Sequence, residues 1–309
     1  MAIVLIRQDG KLDLWKNAFL GQYPDLPVFH YEEPHSTEEV TMAIVWKHPE
    51  GSLTHYPNLQ CIASFGAGVD FIFEDNTRPK NVTITRVIDP ALAADMSEYV
   101  LGVILMYLKN LDTYRQDQAN KSWRPKAYTR IADHTIGIMG AGTLGITLAN
   151  SLLPLGFKVV GWSREAKEVE NFKIYHGQGG KTNFLRQSTI LVCLLPLTDA
   201  TKEILDKETL SQLPKGAYLI NVARGGHLAE NQLIPLIDSG HLSGACLDVF
   251  QQEPLEEGHP FWDHPKIKIT PHVASVSDPA SVVHQLVENY YRLEKKVPLV
   301  NTVDPSRGY

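Results

Sequence analysis

Thr135-Ile136-Gly137-Ile138-Met139-Gly140-Ala141-Gly142-Thr143-Leu144-Gly145 is an apolar run that ends in three glycines spaced G-x-G-x-x-G. The run predicts a buried strand over 135–139, and the glycines predict a tight turn into a helix. Each glycine has a mechanical reason. One makes the turn, one lets the backbone approach a pyrophosphate, and one lets the helix pack closely on the strand. The anion then sits at the helix N-terminus, where backbone N–H groups lack intrahelical partners. Spacing alone also fits an ordinary tight turn. The strand–turn–helix setting favours a dinucleotide site built from Gly140, Gly142, Thr143, Leu144 and Gly145.

Working outward, similar apolar runs recur at 158–162, 190–195, 217–222, 244–249 and 266–269. Helix-length segments separate several of them. Thr198-Asp199 reads as the start of one helix, 208–213 as another, and 229–239 as a third closed by Gly240. Upstream, the strand candidates are 3–6, 42–46, 61–65 and 82–85. This alternation is the rhythm of parallel α/β sheets. From Pro90 a single long helix is expected to run to about Asn120. Its middle (Val100, Leu101, Val103, Ile104, Leu105, Met106, Leu108) is apolar nearly all round, so it should be buried or packed on a second subunit. The segment 278–296 reads as an amphipathic helix.

Composition narrows the class. A chain of 309 residues suggests two domains and can bury a sizeable core. With 43% hydrophobic and 21% charged residues it has the balance of a globular protein, and a net charge of −6 argues against general affinity for nucleic acid. Cys61, Cys193 and Cys246 sit among apolar neighbours, read as buried thiols, and show no metal-ligand spacing. The apolar N-terminal run 2–6 is too short for a signal-peptide core, and 99–108 is about half a bilayer span. A cytoplasmic protein without a metal or membrane partner is expected.

Two further groups bear on chemistry. At the end of the strand after the glycine loop stands Ser163-Arg164, with Ser163 eighteen positions beyond Gly145 (163 − 145). An acidic residue there would bond the ribose hydroxyls of NAD. Ser163 carries no charge to repel a 2′-phosphate, and Arg164 could pair with one, so NADPH is favoured and NADH is the alternative. A solvated arginine at a strand end is the plainer reading of Arg164. Then come Arg224, Glu253 and His272, each after an apolar run. A fixed cation, a carboxylate and an imidazole are what reduction of a 2-keto acid demands. The cation polarises the carbonyl, the imidazole donates a proton to the developing alkoxide, and the carboxylate keeps that imidazole protonated and oriented. Singly, each residue also reads as a surface charge, a cap or an ordinary histidine.

Six motifs in order carry a family resemblance: Phe65-Gly66-Ala67-Gly68-Val69-Asp70, the glycine loop, Leu194-Leu195-Pro196-Leu197-Thr198, Asn221-Val222-Ala223-Arg224-Gly225, Asp248-Val249-Phe250 with Glu253-Pro254-Leu255, and Thr270-Pro271-His272-Val273-Ala274. The chain resembles the D-isomer-specific 2-hydroxyacid dehydrogenases over essentially its whole length. Within them it looks like the bacterial glyoxylate/hydroxypyruvate reductases of the A type. The resemblance implies an α/β fold with two doubly wound parallel-sheet domains. A flavodoxin-like substrate domain would take 1–93 plus 285–309, a Rossmann cofactor domain 94–284, and a cleft would lie between them. It also implies a homodimer built on the helix near 91–119, with Trp123 on an arm toward the partner; a core or interface aromatic is the plainer reading.

By the same resemblance, Arg224 would bind the substrate carboxylate and keto oxygen, His272 would donate the proton, and Glu253 would hold His272. Gly66, Ala67, Gly68 and Val69 would grip the carboxylate with backbone amides. Asp248 would meet the nicotinamide carboxamide or serve as a cap, and Leu195 and Pro196 would pack near the adenosine. Trp46, in Trp46-Lys47-His48-Pro49, would line the substrate pocket, where Lys47 departs from the family pattern. The implied substrates are glyoxylate and hydroxypyruvate. A reductase of a larger 2-keto acid, and a nucleotide-sensing regulatory binder on the same fold, are the competing readings.

Overall fold

Strand β1 (Ala2–Arg7) is buried at all six positions, which requires cover on both faces of its sheet. It pairs in parallel with β2 (Val28–His30) and β3 (Val40–Trp46), and the sheet continues through β4 (Cys61–Ser64) to β5 (Thr83–Thr85) in the order β2-β1-β3-β4-β5. Side chains alternate between the faces with period two. Ile3, Leu5, Met42 and Ile44 pack against Trp15 and Phe19 of helix Leu12–Gln22 and Val283, Leu286 and Val287 of helix Pro279–Glu294. Val4, Ile6, Ala43 and Val45 face the other way, onto Leu53, Ile72 and Ile84.

The second sheet has seven parallel strands: β6 (Thr135–Met139), β7 (Lys158–Ser163), β8 (Lys173–His176), β9 (Ile190–Cys193), β10 (Ala217–Asn221), β11 (Leu242–Leu247) and β12 (Ile267–Ile269). Their order is β12-β11-β10-β9-β6-β7-β8. The order reverses between β6 and β9. Ligands of doubly wound sheets bind beyond the C-terminal strand ends at such a reversal. The glycine loop leaves β6 there.

This computed structural model describes residues 1–308. The chain forms two compact units, Met1–Leu92 together with the chain from Val276 onward, and Ala93–Ser275. Each is a doubly wound parallel α/β sheet, the class read from the sequence.

Three local expectations are corrected. The long helix is two helices, Pro90–Leu108 and Leu111–Ala119, broken where Asn110 adopts a left-handed backbone with φ of 54°. Asparagine tolerates that conformation better than most residues. The stretch after Thr198-Asp199 forms turns, because the Thr201 hydroxyl bonds the Pro196 carbonyl at 2.7 Å and accepts from the Thr198 amide at 2.9 Å. Trp123 is 95% exposed and belongs to no core. Helix Pro90–Leu108 is, among the described residues, the one helix long and apolar enough to cross a bilayer by length and composition. Its Met96, Val100, Ile104 and Leu108 pack on Ile136, Leu148 and Ile220 of the seven-stranded unit.

Helix Pro279–Glu294 begins where the Asp278 side chain accepts from the Ser281 amide at 3.2 Å, with Pro279 at its first position. Asp278→Ala is expected to destabilise the five-stranded unit by about 1 kcal/mol, measurable as a lower midpoint in urea denaturation. An unchanged midpoint would show that the proline alone fixes the helix start.

Candidate active site

The glycine loop has the geometry a dinucleotide needs. Gly140 has φ of 117°, and a Cβ there would stand 2.6 Å from the Leu194 carbonyl carbon; at Gly145 a Cβ would stand 2.2 Å from the Gly140 oxygen. No other residue fits either place. At Gly142, by contrast, a Cβ would meet nothing, so there is room beside the N-terminus of helix Thr143–Leu152. The first amides of that helix, including those of Thr143, Leu144 and Gly145, have no intrahelical acceptors and suit a pyrophosphate.

Two loops border it. The Lys167 ammonium donates to the Ala141 carbonyl at 3.0 Å, which places a second cation on the glycine loop that the sequence reading missed. The signal was a lysine three positions beyond Arg164. Ser163 is buried and donates its hydroxyl to the Glu165 carbonyl at 2.6 Å. Arg164 and Glu165 form an exposed ion pair at 3.7 Å. Such a pair is worth less than about 1 kcal/mol, so the guanidinium is easily re-paired with a phosphate. Leu195 is buried, and the Pro196 carbonyl is held by the Thr201 hydroxyl.

Arg224, Glu253 and His272 come from the turns that follow β10, β11 and β12, three neighbouring strands, on the same sheet edge as the glycine loop. The first turn is shaped by Asn221, which is fully buried. Its amide donates to the Arg224 carbonyl at 3.0 Å and its side-chain oxygen accepts from the Ala223 amide at 3.3 Å. The Arg224 guanidinium donates to the Ala223 carbonyl at 2.7 Å. The buried His227 ring lies 3.1 Å from the Arg224 carbonyl and 3.2 Å from the Pro196 carbonyl, tying this turn to the segment after β9. Gly225 presses on the second turn: a Cβ there would stand 1.8 Å from the Phe250 carbonyl carbon.

The second and third turns meet directly. Glu253 accepts from the Phe250 amide at 3.1 Å through one oxygen and from His272 Nδ1 at 2.8 Å through the other. The carboxylate can only accept, so Nδ1 carries hydrogen. With its side chain 28% exposed, His272 is reachable by a ligand.

Asp248, 1% exposed, acts as a cap on the third turn. Its carboxylate accepts from the Thr270 hydroxyl at 2.5 Å and from the Val273 and Ala274 amides, each at 2.9 Å. The His272 amide in turn donates to the Asp248 carbonyl at 2.8 Å. These bonds hold His272 at φ of 55°, a left-handed backbone that costs a non-glycine residue about 1–2 kcal/mol.

The other expected substrate residues lie in the five-stranded unit. Ser64 closes the loop after β4, accepting from the Gly66 amide at 3.1 Å and donating to the Gly68 carbonyl at 2.7 Å. The Gly66 amide is thus committed within the loop. Ala67 and Gly68 are partly exposed, whereas the Val69 side chain is buried. The Trp46 ring packs edge-on against Phe71 with centroids 5.2 Å apart, and also lies 3.9 Å from the place of a Gly66 Cβ. Beside it, His48 is buried against Asp75 at 3.1 Å, and burial pushes its pKa below the ordinary value despite that carboxylate. Cys61 and Cys193 have thiols that burial pushes up to about 12, and all three cysteines are free and buried.

Residues 101–274 match the family described as D-isomer specific 2-hydroxyacid dehydrogenase, NAD binding domain. The chain belongs to this family. Two relatives named glyoxylate/hydroxypyruvate reductase A agree along the 2-hydroxyacid dehydrogenase chain. That of Photorhabdus laumondii is 39% identical over 301 residues, 96% of each chain. That of Yersinia enterocolitica is 38% identical over 278 residues, 88% of this chain and 89% of its own. Among solved structures, a D-isomer specific 2-hydroxyacid dehydrogenase from Xanthobacter autotrophicus, in complex with NADPH and MES, has a TM-score of 0.94 at 37% identity, covering 100% of this chain and 99% of its own. An NADPH-dependent glyoxylate/hydroxypyruvate reductase from Sinorhizobium meliloti, in complex with NADP and sulfate, has a TM-score of 0.93 at 33% identity with 100% of both chains covered.

In this 2-hydroxyacid dehydrogenase the contact between Gly225 and Phe250 sets the spacing of the first two turns. Gly225→Ala is expected to cut turnover about 100-fold or more by displacing one turn from the other, with the circular dichroism spectrum unchanged. Turnover within a few-fold of wild type would show that the turns absorb a methyl group without separating.

Proposed function

We propose that the protein is an NADPH-preferring reductase of small 2-keto acids, converting glyoxylate to glycolate and hydroxypyruvate to glycerate. The observation that carries this is the 2.8 Å bond from His272 Nδ1 to Glu253, formed on the same sheet edge as Arg224 and the glycine loop. NADPH, when bound, supplies the hydride. Arg224 holds the substrate carboxylate and polarises the keto oxygen with its planar fork. His272 delivers its Nε2 proton to the oxygen that becomes the alcohol, and Glu253 orients the ring by accepting from Nδ1. Ala67, Gly68, Val69 and Trp46 are assigned to the substrate, and Gly66, whose amide bonds Ser64, to shaping their loop. Gly140, Gly142, Thr143, Leu144, Gly145, Leu195 and Pro196 are assigned to the cofactor, and Asp248 to capping the His272 turn.

Three observations support the choice of NADPH. Ser163 occupies the place where a carboxylate would repel a 2′-phosphate, Arg164 follows it, and Lys167 adds a second cation at the glycine loop. The relatives named for glyoxylate and hydroxypyruvate reduction support the substrates. We further assign a cytoplasmic homodimer with no nucleic-acid or membrane partner. The free, buried thiols and the exposed Trp123 and Tyr128 beyond helix Leu111–Ala119 support that assignment.

Steady-state oxidation of NADPH and NADH with glyoxylate, hydroxypyruvate, pyruvate and phenylpyruvate tests the reading. Fast turnover of the first two acids with NADPH is expected, and Arg164→Ala should raise the KM for NADPH about tenfold while sparing that for NADH. Faster turnover of phenylpyruvate, or a preference for NADH, would overturn the corresponding half.

Glu253 orients the His272 ring through its bond to Nδ1. In Glu253→Ala the ring loses that acceptor, so kcat for glyoxylate should fall about 100-fold, with the KM for NADPH little changed. A kcat within a few-fold of wild type would remove Glu253 from the mechanism.

A further inference from the structure

We propose that Tyr99 is a positioning residue for His272, acting through Thr270 and Asp248. The proposal rests on the catalytic reading of His272 given above. Tyr99 lies on helix Pro90–Leu108, 171 residues from Thr270 in sequence, yet its hydroxyl is 2.5 Å from the Thr270 hydroxyl. Thr270 donates its single hydrogen to Asp248 at 2.5 Å, because a carboxylate can only accept. The Thr270 oxygen therefore accepts from Tyr99. Burial pushes the Tyr99 phenol above its ordinary pKa, so it remains a donor at any pH at which the protein works. Behind it stands the Cys246 thiol, 3.6 Å from the Tyr99 oxygen and pushed up to about 11 by burial, which keeps its hydrogen as well.

The hydrogens thus point one way, from Cys246 through Tyr99 and Thr270 to Asp248. Chains of this kind polarise one another, and each donor strengthens the next. Their end point is the carboxylate that also holds the amides of Val273 and Ala274. Thr270 and Asp248 both touch the His272 backbone too, since the His272 amide donates to the Thr270 carbonyl at 3.1 Å and to the Asp248 carbonyl at 2.8 Å. The ring that must meet Glu253 is therefore aimed from a helix that shares no turn with it. Without the Tyr99 hydroxyl, Thr270 is free to rotate its own hydroxyl toward other acceptors. Asp248 then loses a donor, and the left-handed backbone at His272 loses part of what fixes it.

The effect should fall on the chemical step and leave cofactor binding intact. Tyr99→Phe, Thr270→Val, Thr270→Ser and the double variant Tyr99→Phe/Thr270→Val are compared by steady-state reduction of glyoxylate and by fluorescence titration with NADPH. Tyr99→Phe and Thr270→Val should each lower kcat about tenfold, with the NADPH Kd changed by less than about twofold. Thr270→Ser should restore most of the rate. The double variant should be no slower than the slower single variant, because both remove one chain of hydrogen bonds.

Wild-type kcat in Tyr99→Phe, or a double variant whose loss is the product of the single losses, would overturn the proposal. Deuterium exchange at the Val273 and Ala274 amides provides a readout independent of turnover. Faster exchange there in Tyr99→Phe, with the rest of the unit unchanged, supports the positioning chain; unchanged exchange overturns it. A wild type inactive on every keto acid would defeat the functional reading, while the exchange result would still decide the role of Tyr99.

Discussion

A carboxylate removed from water must be given donors, or it costs several kcal/mol and gives up its charge. Asp248 is such a carboxylate, and the way it is satisfied shapes the edge that carries the candidate site. It stands just past the end of β11 and draws its donors from the turn beyond β12, so two neighbouring strands cannot end independently. That turn is consequently folded back hard enough to put a histidine in a left-handed backbone. The Glu253 turn leaves the same strand a few residues later and reaches the imidazole from the side. The order of construction runs from a buried charge to a fixed loop, and from the loop to an aimed ring.

Much of the fold was legible because parallel strands covered on both faces must be continuously apolar. The sequence Thr135–Met139 is a strand at both ends as expected, and Ala2–Arg7 and Val40–Trp46 differ from the expected runs only at their termini. The misses have physical causes. Strands β2 and β8 lie at sheet edges and run for only three and four residues; β2 has a single buried position and β8 has none, so they show neither an apolar run nor an alternation. The break at Asn110 was hidden because the apolar stripe before it stops without a glycine or proline. The turns after Thr198 imitate a helix start, since the threonine chemistry that caps helices also closes isolated turns.

The site was legible where chemistry demands particular residue types at particular places. The contact of Glu253 with His272 is of that kind. What spacing could not reveal was the support beneath those residues. Asn221 looks like a strand end, Thr270 like part of a motif, and Tyr99 like one more helical aromatic. Their roles depend on contacts between segments far apart in the chain, and no local pattern encodes those. Asp248 shows the boundary between the two cases. Both a cap and a cofactor contact were readable from its position, and only the geometry shows how many donors converge on it.

Arg224, Glu253 and His272 are contributed by one uninterrupted run of chain, β10 through the turn after β12, together with Asn221, Asp248 and Thr270, which shape the turns that carry them. The loops expected to select the substrate, around Trp46 and Gly66, are written much earlier in the gene. The set proposed to act on the keto group is therefore inherited as a block. A duplicated copy can accumulate changes in its opening third, and so explore new acids, while that set and its supports pass unaltered to the descendants. Diversification of this lineage should leave its clearest traces ahead of the helix that begins at Pro90.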